Sequence, residues 1–351
     1  MFSNLSMRDA LAAHLLVCTS ALLAAGAHAT TYVVTSLADS GSGSLRATVA
    51  AAASGDTINI TATGTLTLTS GEIAITRALT ISGPGSASLT ISGNAASRIF
   101  KVSATTAAAA DAPVSLSGVT LANGYASGTC PAPTAGSGGA IAASESLSLS
   151  DVVITSSYAT RNGGALAWAL RQSGQSLTLS NVRVSGNSAG CASATAGGIG
   201  GGIFAGYDSS VSSAATGTVT LLNTRLLGNS AQRHGGGIAL TGPVSATISG
   251  ARLSGNTAVT GYGGALYLAP PSVSTVTPPA ATVSNSELSS NLAALAGGAL
   301  AAANLAAAQQ GSGSRSALVL TNSTVSGNVV QSAVGDGAAA SLAGNVALTL
   351  N

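Results

Sequence analysis

The stretch SLTLSNVRVSGNSAGCASATAGGIGGGIF, Ser176 to Phe204, carries the reading that decides the fold. Leu177 and Leu179 alternate with Thr178 and Ser180, Asn181 makes a polar corner, and Val182 and Val184 point inward around an outward Arg183. Alternation with a period of two is a strand signal. Asn187 ends the second strand, and a loop then leads through Gly197-Gly198 and Gly201-Gly202 into a third strand at Ile203. Paired glycines after a loop suit a tight bend that needs positive backbone angles or close chain approach.

The same sentence opens at Val114, Leu147, Leu177, Val219, Ala246, Ala281 and Leu318, and an eighth begins at Leu348, at intervals of 27 to 42 residues. Self-similarity at such periods means a solenoid or a propeller. The glycine pairs recur as Gly138-Gly139, Gly163-Gly164, Gly235-Gly236-Gly237, Gly263-Gly264 and Gly297-Gly298, then decay to Gly335-Asp336-Gly337. Three short strands per coil, stacked in parallel, predict an all-β, right-handed parallel β-helix of pectate-lyase-like architecture. A propeller asks for about four strands per blade and carries a periodic aromatic signature. The uneven intervals and the 3% aromatic content argue against it.

The corners carry a second regularity. Asn181 and Asn187 are six apart, as are Asn223 and Asn229, Asn285 and Asn291, and Asn322 and Asn328. Stacked coils would set these in columns in which each amide bonds to the next coil. Asparagine also tolerates left-handed turn geometry. Asp151 takes the corner of the second coil, so its expected role is structural.

Composition agrees. Only 6% of residues are charged, and a mean hydropathy of +0.46 is opposite to what disorder requires. A formal net charge of +2 is too small to argue for nucleic acid or an anionic membrane as partner. Arg8, an apolar run from Leu15 to Ala25 and Ala27-His28-Ala29 form an export-signal pattern over 1–29. The run is too short to span a bilayer, which takes about 20 residues. No transmembrane segment is expected in the remainder, and the predicted location is secreted or cell-envelope, including the outer-membrane surface.

Removal of the leader takes Cys18 and leaves Cys130 and Cys191, an even count that permits a disulfide in an exported chain. Coils two apart are about 9.6 Å apart, beyond the reach of about 7 Å for a bridge unless the loops bend. Both states stay open. Before the coils, Ser44 to Ala53 reads as a short capping helix with Ser44 as N-cap, feeding Thr57 to Ile60 into the first rungs. The layout is thus 1–29 signal peptide, 30–113 N-terminal cap and first rungs, and 114–351 repeats, seven coils and a shortened eighth. The chain ends at the corner position Asn351, and an open coil edge invites pairing, so a missing C-terminal region or a covering partner is expected.

These residues resemble the CSLREA-domain and polymorphic outer-membrane-protein-like β-helix proteins of bacteria. The segment TYVVTSLADSGSGSLRATVAAAASGDTI follows the CSLREA pattern, with Gly43 and Ala47 in place of its Cys and Glu. LTISGPGSASLTISGN, Ser97 to Phe100, and repeats such as VRVSGNSA and TRLLGNSAQRHGGGI extend the likeness along most of the chain. The resemblance implies an exported surface protein, adhesive or structural, and no reaction or cofactor.

For chemistry, the alternative is a polysaccharide lyase or glycoside hydrolase on the same scaffold. Hydrolysis needs carboxylates that converge on one face. Beyond the leader, none of the acids is paired within three residues of another, and Glu145, Asp151, Asp208, Glu287 and Asp336 scatter over the coils. The sequence therefore predicts a chain without enzymatic activity, catalytic residues, cofactor or metal. His234, following Arg233 before a glycine run, reads as a solvated loop residue. Tyr125, Tyr158 and Trp168 read either as a sugar-stacking patch near the first loops or as packing. Arg183, Arg225, Arg252 and Glu287 fall at one outward position of successive coils. That column reads as a solvated ladder or, more sharply, as an anion strip for acidic glycans built on the guanidinium fork. Glycans or surface proteins are the expected partners.

Overall fold

The computed structural model describes residues 28–104, 109–128, 136–190, 198–207, 215–269, 277–303, 316–332, 337–343 and 346–351. Residues 1–27 of the expected leader, Cys130 and Cys191 lie outside the described residues. What is described is a right-handed parallel β-helix. Its strands form sheets of 11, 9, 7 and 9 members in which every pairing is parallel and joins one coil to the next.

One coil shows the plan. Ser176–Ser180 lies in the first sheet, Arg183–Ser185 in the second, Ser188–Ala189 in the third and Ile203–Tyr207 in the fourth. The expectation of three strands per coil is corrected to four. The added strand is only two residues long, Ser-Ala in this coil and Tyr-Ala in the two before it. Two residues are too few to show an alternation, which is why the sequence pattern passes over them.

The corners follow from backbone sterics. Asp151, Asn181, Asn223, Asn285 and Asn322 hold φ between 45° and 55° at the turn from first to second sheet, and Gly250 takes the same place with φ 62°. Left-handed backbone costs most residues about 1–2 kcal/mol, and Asn, Asp and Gly least. The glycine pairs do two different things. Gly163 has φ 66°, whereas a Cβ on Gly164 would sit 2.2 Å from the carbonyl oxygen of Gly201 in the next coil. The first glycine supplies the turn and the second the close approach.

Inside, columns of like side chains stack rung on rung. Ile141, Leu166, Ile203, Ile238, Leu266 and Leu300 form one, each at most 1% exposed. Burying each contributes about 1.5–3 kcal/mol. The neighbouring column absorbs the chain's one tryptophan by volume: Trp168 is fully buried between Ala143 below and Ala205 above. Gly217 faces it, where a Cβ would come within 2.7 Å of the indole.

The N-terminal end is closed by helix α1, Leu45–Ala51, with the hydroxyl of Ser44 accepting from the Ala47 N–H at 3.3 Å. Leu45, Thr48 and Val49 are its buried face. Arg46 donates to Asp39 at 2.7 Å and to the Gly71 and Glu72 carbonyls, while Asp39 also accepts from the Thr69 and Ser70 amides. Burial alone would raise the Asp39 pKa. The bonds from Arg46, Thr69 and Ser70 more than offset this and hold it well below the usual carboxylate range.

A buried asparagine ladder runs along the turn after the second sheet. Asn229 is representative: its Oδ1 accepts from the Asn187 N–H at 3.1 Å and from the Asn187 Nδ2 at 3.0 Å. Its own Nδ2 donates to the Val184 carbonyl and to Asn256 Oδ1, both at 3.0 Å. The chain of amides continues through Asn256 and Asn291 to Asn328. Asn187, Asn229, Asn256 and Asn291 are at most 1% exposed. The exposed corner asparagines are different, and only Asn322 bonds its neighbour Asn285, at 2.6 Å. Asn256 escapes a search for asparagines six apart because its corner partner is Gly250. The usable signal was the shared Gly-Asn or Ser-Asn step, as in Ser185-Gly186-Asn187 and Ser254-Gly255-Asn256.

Removing a ladder amide strands buried donors on one side and a carbonyl on the other. Asn229→Ala is expected to destabilise the fold by at least about 2 kcal/mol. Asn181→Gly, at an exposed left-handed corner, should cost under about 1 kcal/mol. Urea unfolding followed by far-UV circular dichroism measures both, and equal effects would refute the ladder's role.

Candidate functional site

The second sheet positions the charged column. Val153, Arg183, Arg225, Arg252, Glu287 and Thr324 are direct Cα partners across successive coils. Each precedes an inward Ile, Val or Leu, so pleating turns it outward. Arg183, Arg225 and Arg252 are exposed and Glu287 is intermediate. Arg252 Nε lies 3.5 Å from Glu287 Oε2, with side-chain exposures of 54% and 42%. Among the described residues, Arg183 and Arg225 have no ionic partner. Neighbouring guanidinium groups about 5 Å apart in water repel by under about 1 kcal/mol, so the fold tolerates the column and leaves its charge available.

Beside the column lies an open groove of about 560 Å³ lined by Arg225, Gly250, Ala251, Arg252, Asn285, Ser286, Glu287, Asn322 and Thr324. Its walls come from four consecutive rungs of the second sheet and from the left-handed corner next to it. Polar atoms dominate the lining, and among the described residues Glu287 is its single carboxylate. The Glu287 Oε1 accepts from the Ser289 hydroxyl at 2.6 Å.

A second group of ionisable side chains assembles where the fourth sheet turns into the first. Arg171 grips Glu145 with two bonds, Nε to Oε1 at 3.1 Å and Nη2 to Oε2 at 2.7 Å. Glu145 is fully buried and accepts further from the Ala104 and Ala112 amides. Asp111 joins the group through the residues beside Glu145: its Oδ1 accepts from the Ser146 N–H and from Gln175 Nε2. Burial raises the Asp111 pKa, but the bonds from Ser146 and Gln175 outweigh it and set a net lowering. Both Glu145 oxygens are engaged and the side chain is shut off from solvent, and the group ties three coils together.

His234 is not the solvated loop residue that the sequence predicts. It is 8% exposed and stacks against two rings of the next coil, with centroids 5.2 Å from Tyr262 and 4.6 Å from Tyr267. Its Nδ1 accepts from the Tyr262 N–H at 3.1 Å. Burial, with a smaller contribution from the Arg233 charge, pushes its pKa down to about 4, and burial pushes Tyr267 up to about 12. The aromatic trio of the early coils divides. Tyr125 and Tyr158 stack at 5.6 Å, and the Tyr158 hydroxyl donates to the Gly190 carbonyl. Trp168 instead points into the core and donates to the Glu145 carbonyl at 2.9 Å. Among the described residues no three His, Cys, Asp or Glu side chains gather as a metal site, and no helix is long and apolar enough to cross a membrane.

No protein-family model matches the chain, and no curated protein matches it. The likeness to CSLREA-domain proteins therefore rests on the quoted motifs alone. Among solved structures it is similar to the catalytic domain of a GH87 α-1,3-glucanase in complex with nigerose, at 10% identity and a TM-score of 0.40. That match covers 90% of this chain and 68% of the glucanase domain. It is also similar to ORF18 of Geobacillus virus E2, at 9% identity and a TM-score of 0.32, over 93% of this chain and 64% of that one. At these identities the likeness is one of fold.

The sequence-based expectation of a chain without enzymatic activity is corrected, since a glycosidase catalytic domain stands among the structures it resembles. Spacing along the chain says little about which groups meet in a solenoid, because the fold brings together residues one coil apart, as it does the segments of Asp111 and Glu145.

The buried histidine supplies a pH dependence with a defined sign. Its folded pKa of about 4 lies below the unfolded value of about 6.5, so its contribution to stability is complete above about pH 6.5 and declines as pH falls toward 4. His234→Asn keeps an acceptor near the Nδ1 position and does not titrate. Between about pH 7.5 and about pH 5 the natural chain should lose about 2 kcal/mol more stability than this variant, at about 1.4 kcal/mol per unit. Denaturant midpoints at the two pH values measure the difference, and parallel losses would refute it.

Proposed function

We propose that the chain is an exported β-helix that engages acidic glycans along the arginine column of its second sheet. The observation that carries this reading is the direct register of Arg183, Arg225 and Arg252, exposed on consecutive rungs. Guanidinium forks match carboxylate and sulfate geometry in pairs of hydrogen bonds. The uncharged Ser, Thr and Asn around them leave those cations as the dominant local field. Corner asparagines and hydroxyls of the groove add donors and acceptors of the kind that sugar hydroxyls use. The surface-protein resemblance of the N-terminal segment points to the same extracellular setting.

Glu287 supports a second reading, hydrolysis or elimination of the bound glycan. It is the half-exposed carboxylate of the groove, beside an arginine and within reach of a bound sugar. A hydrolase requires a second carboxyl group, and the described lining supplies Glu287 alone.

One assay addresses both. The chain is incubated with immobilised acidic and neutral polysaccharides, and retention and newly released sugar ends are scored together. Retention on acidic polymers should fall with added salt, and Arg225→Ala should weaken it about fivefold, the equivalent of about 1 kcal/mol for an exposed charge pair. Unchanged retention in that variant would overturn the binding reading. Released ends that vanish in Glu287→Gln would establish the second one.

A further inference from the structure

The column has ends as well as a charge. Passing along the second sheet, the outward position reads Val153, then Arg183, Arg225 and Arg252, then Glu287. Three cations on consecutive rungs, about 4.8 Å apart, are bounded on one side by an apolar side chain and on the other by a carboxylate. A groove that flanks two of them, Arg225 and Arg252, runs along the stack past Glu287 and Thr324, lined from four successive rungs, and Arg183 lies one rung beyond its end. A polymer seated there runs parallel to the solenoid axis, not across it.

Resting on the glycan reading above, we infer that the column is a three-position gauge for a polyanion with one carboxylate or sulfate on every successive sugar. One sugar of an extended chain advances by a length comparable to one rung, so consecutive anions meet consecutive arginines. A polymer charged on every second sugar places its anions two rungs apart, about 9.6 Å. It reaches Arg183 and Arg252 and leaves Arg225 unpaired. A polymer lying across the coils would meet one rung and one arginine. Glu287 repels a fourth anion and, by its contact with Arg252 at 3.5 Å, draws off part of that cation's charge.

The test is calorimetric titration of the whole chain with size-defined oligomers. One series carries a carboxylate on each sugar, one a sulfate on each sugar, and one alternates uronate with a neutral sugar. Affinity for a fully charged series should rise about three- to fivefold per sugar up to three sugars and then level off. Arg183→Ala should bring the plateau down to two, and Glu287→Arg should move it out to four. Both positions are solvent-exposed or nearly so, and a thermal melt of each variant verifies folding. The plateau appearing in the carboxylate series or in the sulfate series supports the gauge and names the anion. Affinity that keeps climbing past three sugars, or equal binding of alternating and fully charged trimers, overturns the gauge while retention on acidic polymers still stands. Absence of binding by every series overturns both readings.

Discussion

The parallel register between coils governs everything else in this molecule. Each strand hands its backbone donors and acceptors to the coil before and the coil after, so a buried polar backbone of this length has no other way to be satisfied. The register must then hold through turns, where no strand pairing exists. The asparagine ladder does this for one turn, by giving each buried amide a partner one coil on and a carbonyl one coil back. The glycine pair does it for another, by letting two backbones approach where a side chain would collide.

Stacking also multiplies whatever a coil displays. An inward Ile becomes a column of apolar contacts, and the single Trp168 requires alanines above and below it because its column has a fixed spacing. An outward Arg becomes a line of charge. In most proteins three arginines at one strand position would be an accident of the surface. Here the fold places them at a repeat set by backbone hydrogen bonding, and water screens their mutual repulsion well enough for the line to persist. The same multiplication gives the groove its length, since a notch repeated on adjacent rungs is a channel.

Buried ionisable groups obey the usual rule that they must be paired or neutral. Glu145 is paired, held by Arg171 and by two amides, with its neighbour Asp111 bonded to Gln175 and Ser146. His234 is neutral, kept so by its burial against tyrosine rings. These two devices sit at the loop-bearing edges of the coils, where insertions enter and leave. They tie adjacent coils where strand pairing is interrupted, which accounts for polar side chains at positions shielded from solvent.

The architecture was legible in the residues because its determinants are local. Alternation in Leu177 to Ser180, a left-handed corner at Asn181 and a glycine pair before Ile203 each need only a few neighbours, and the repeat states them again and again. The arginine column was legible for the same reason: Arg183, Arg225 and Arg252 hold one place in one local motif. Contacts between coils were not. The intervals run from 27 to 42 residues because loop lengths differ, so no fixed spacing announces that Glu145 will meet Arg171, or that His234 will stack on Tyr262 and Tyr267. The two-residue strands escaped because they are too short to alternate, and Asn256 escaped because Gly250 broke its pairing. The sequence by itself determined the rung, through side-chain alternation and backbone sterics. Only the tertiary structure decided which rungs touch, because that depends on how far each loop delays the next one.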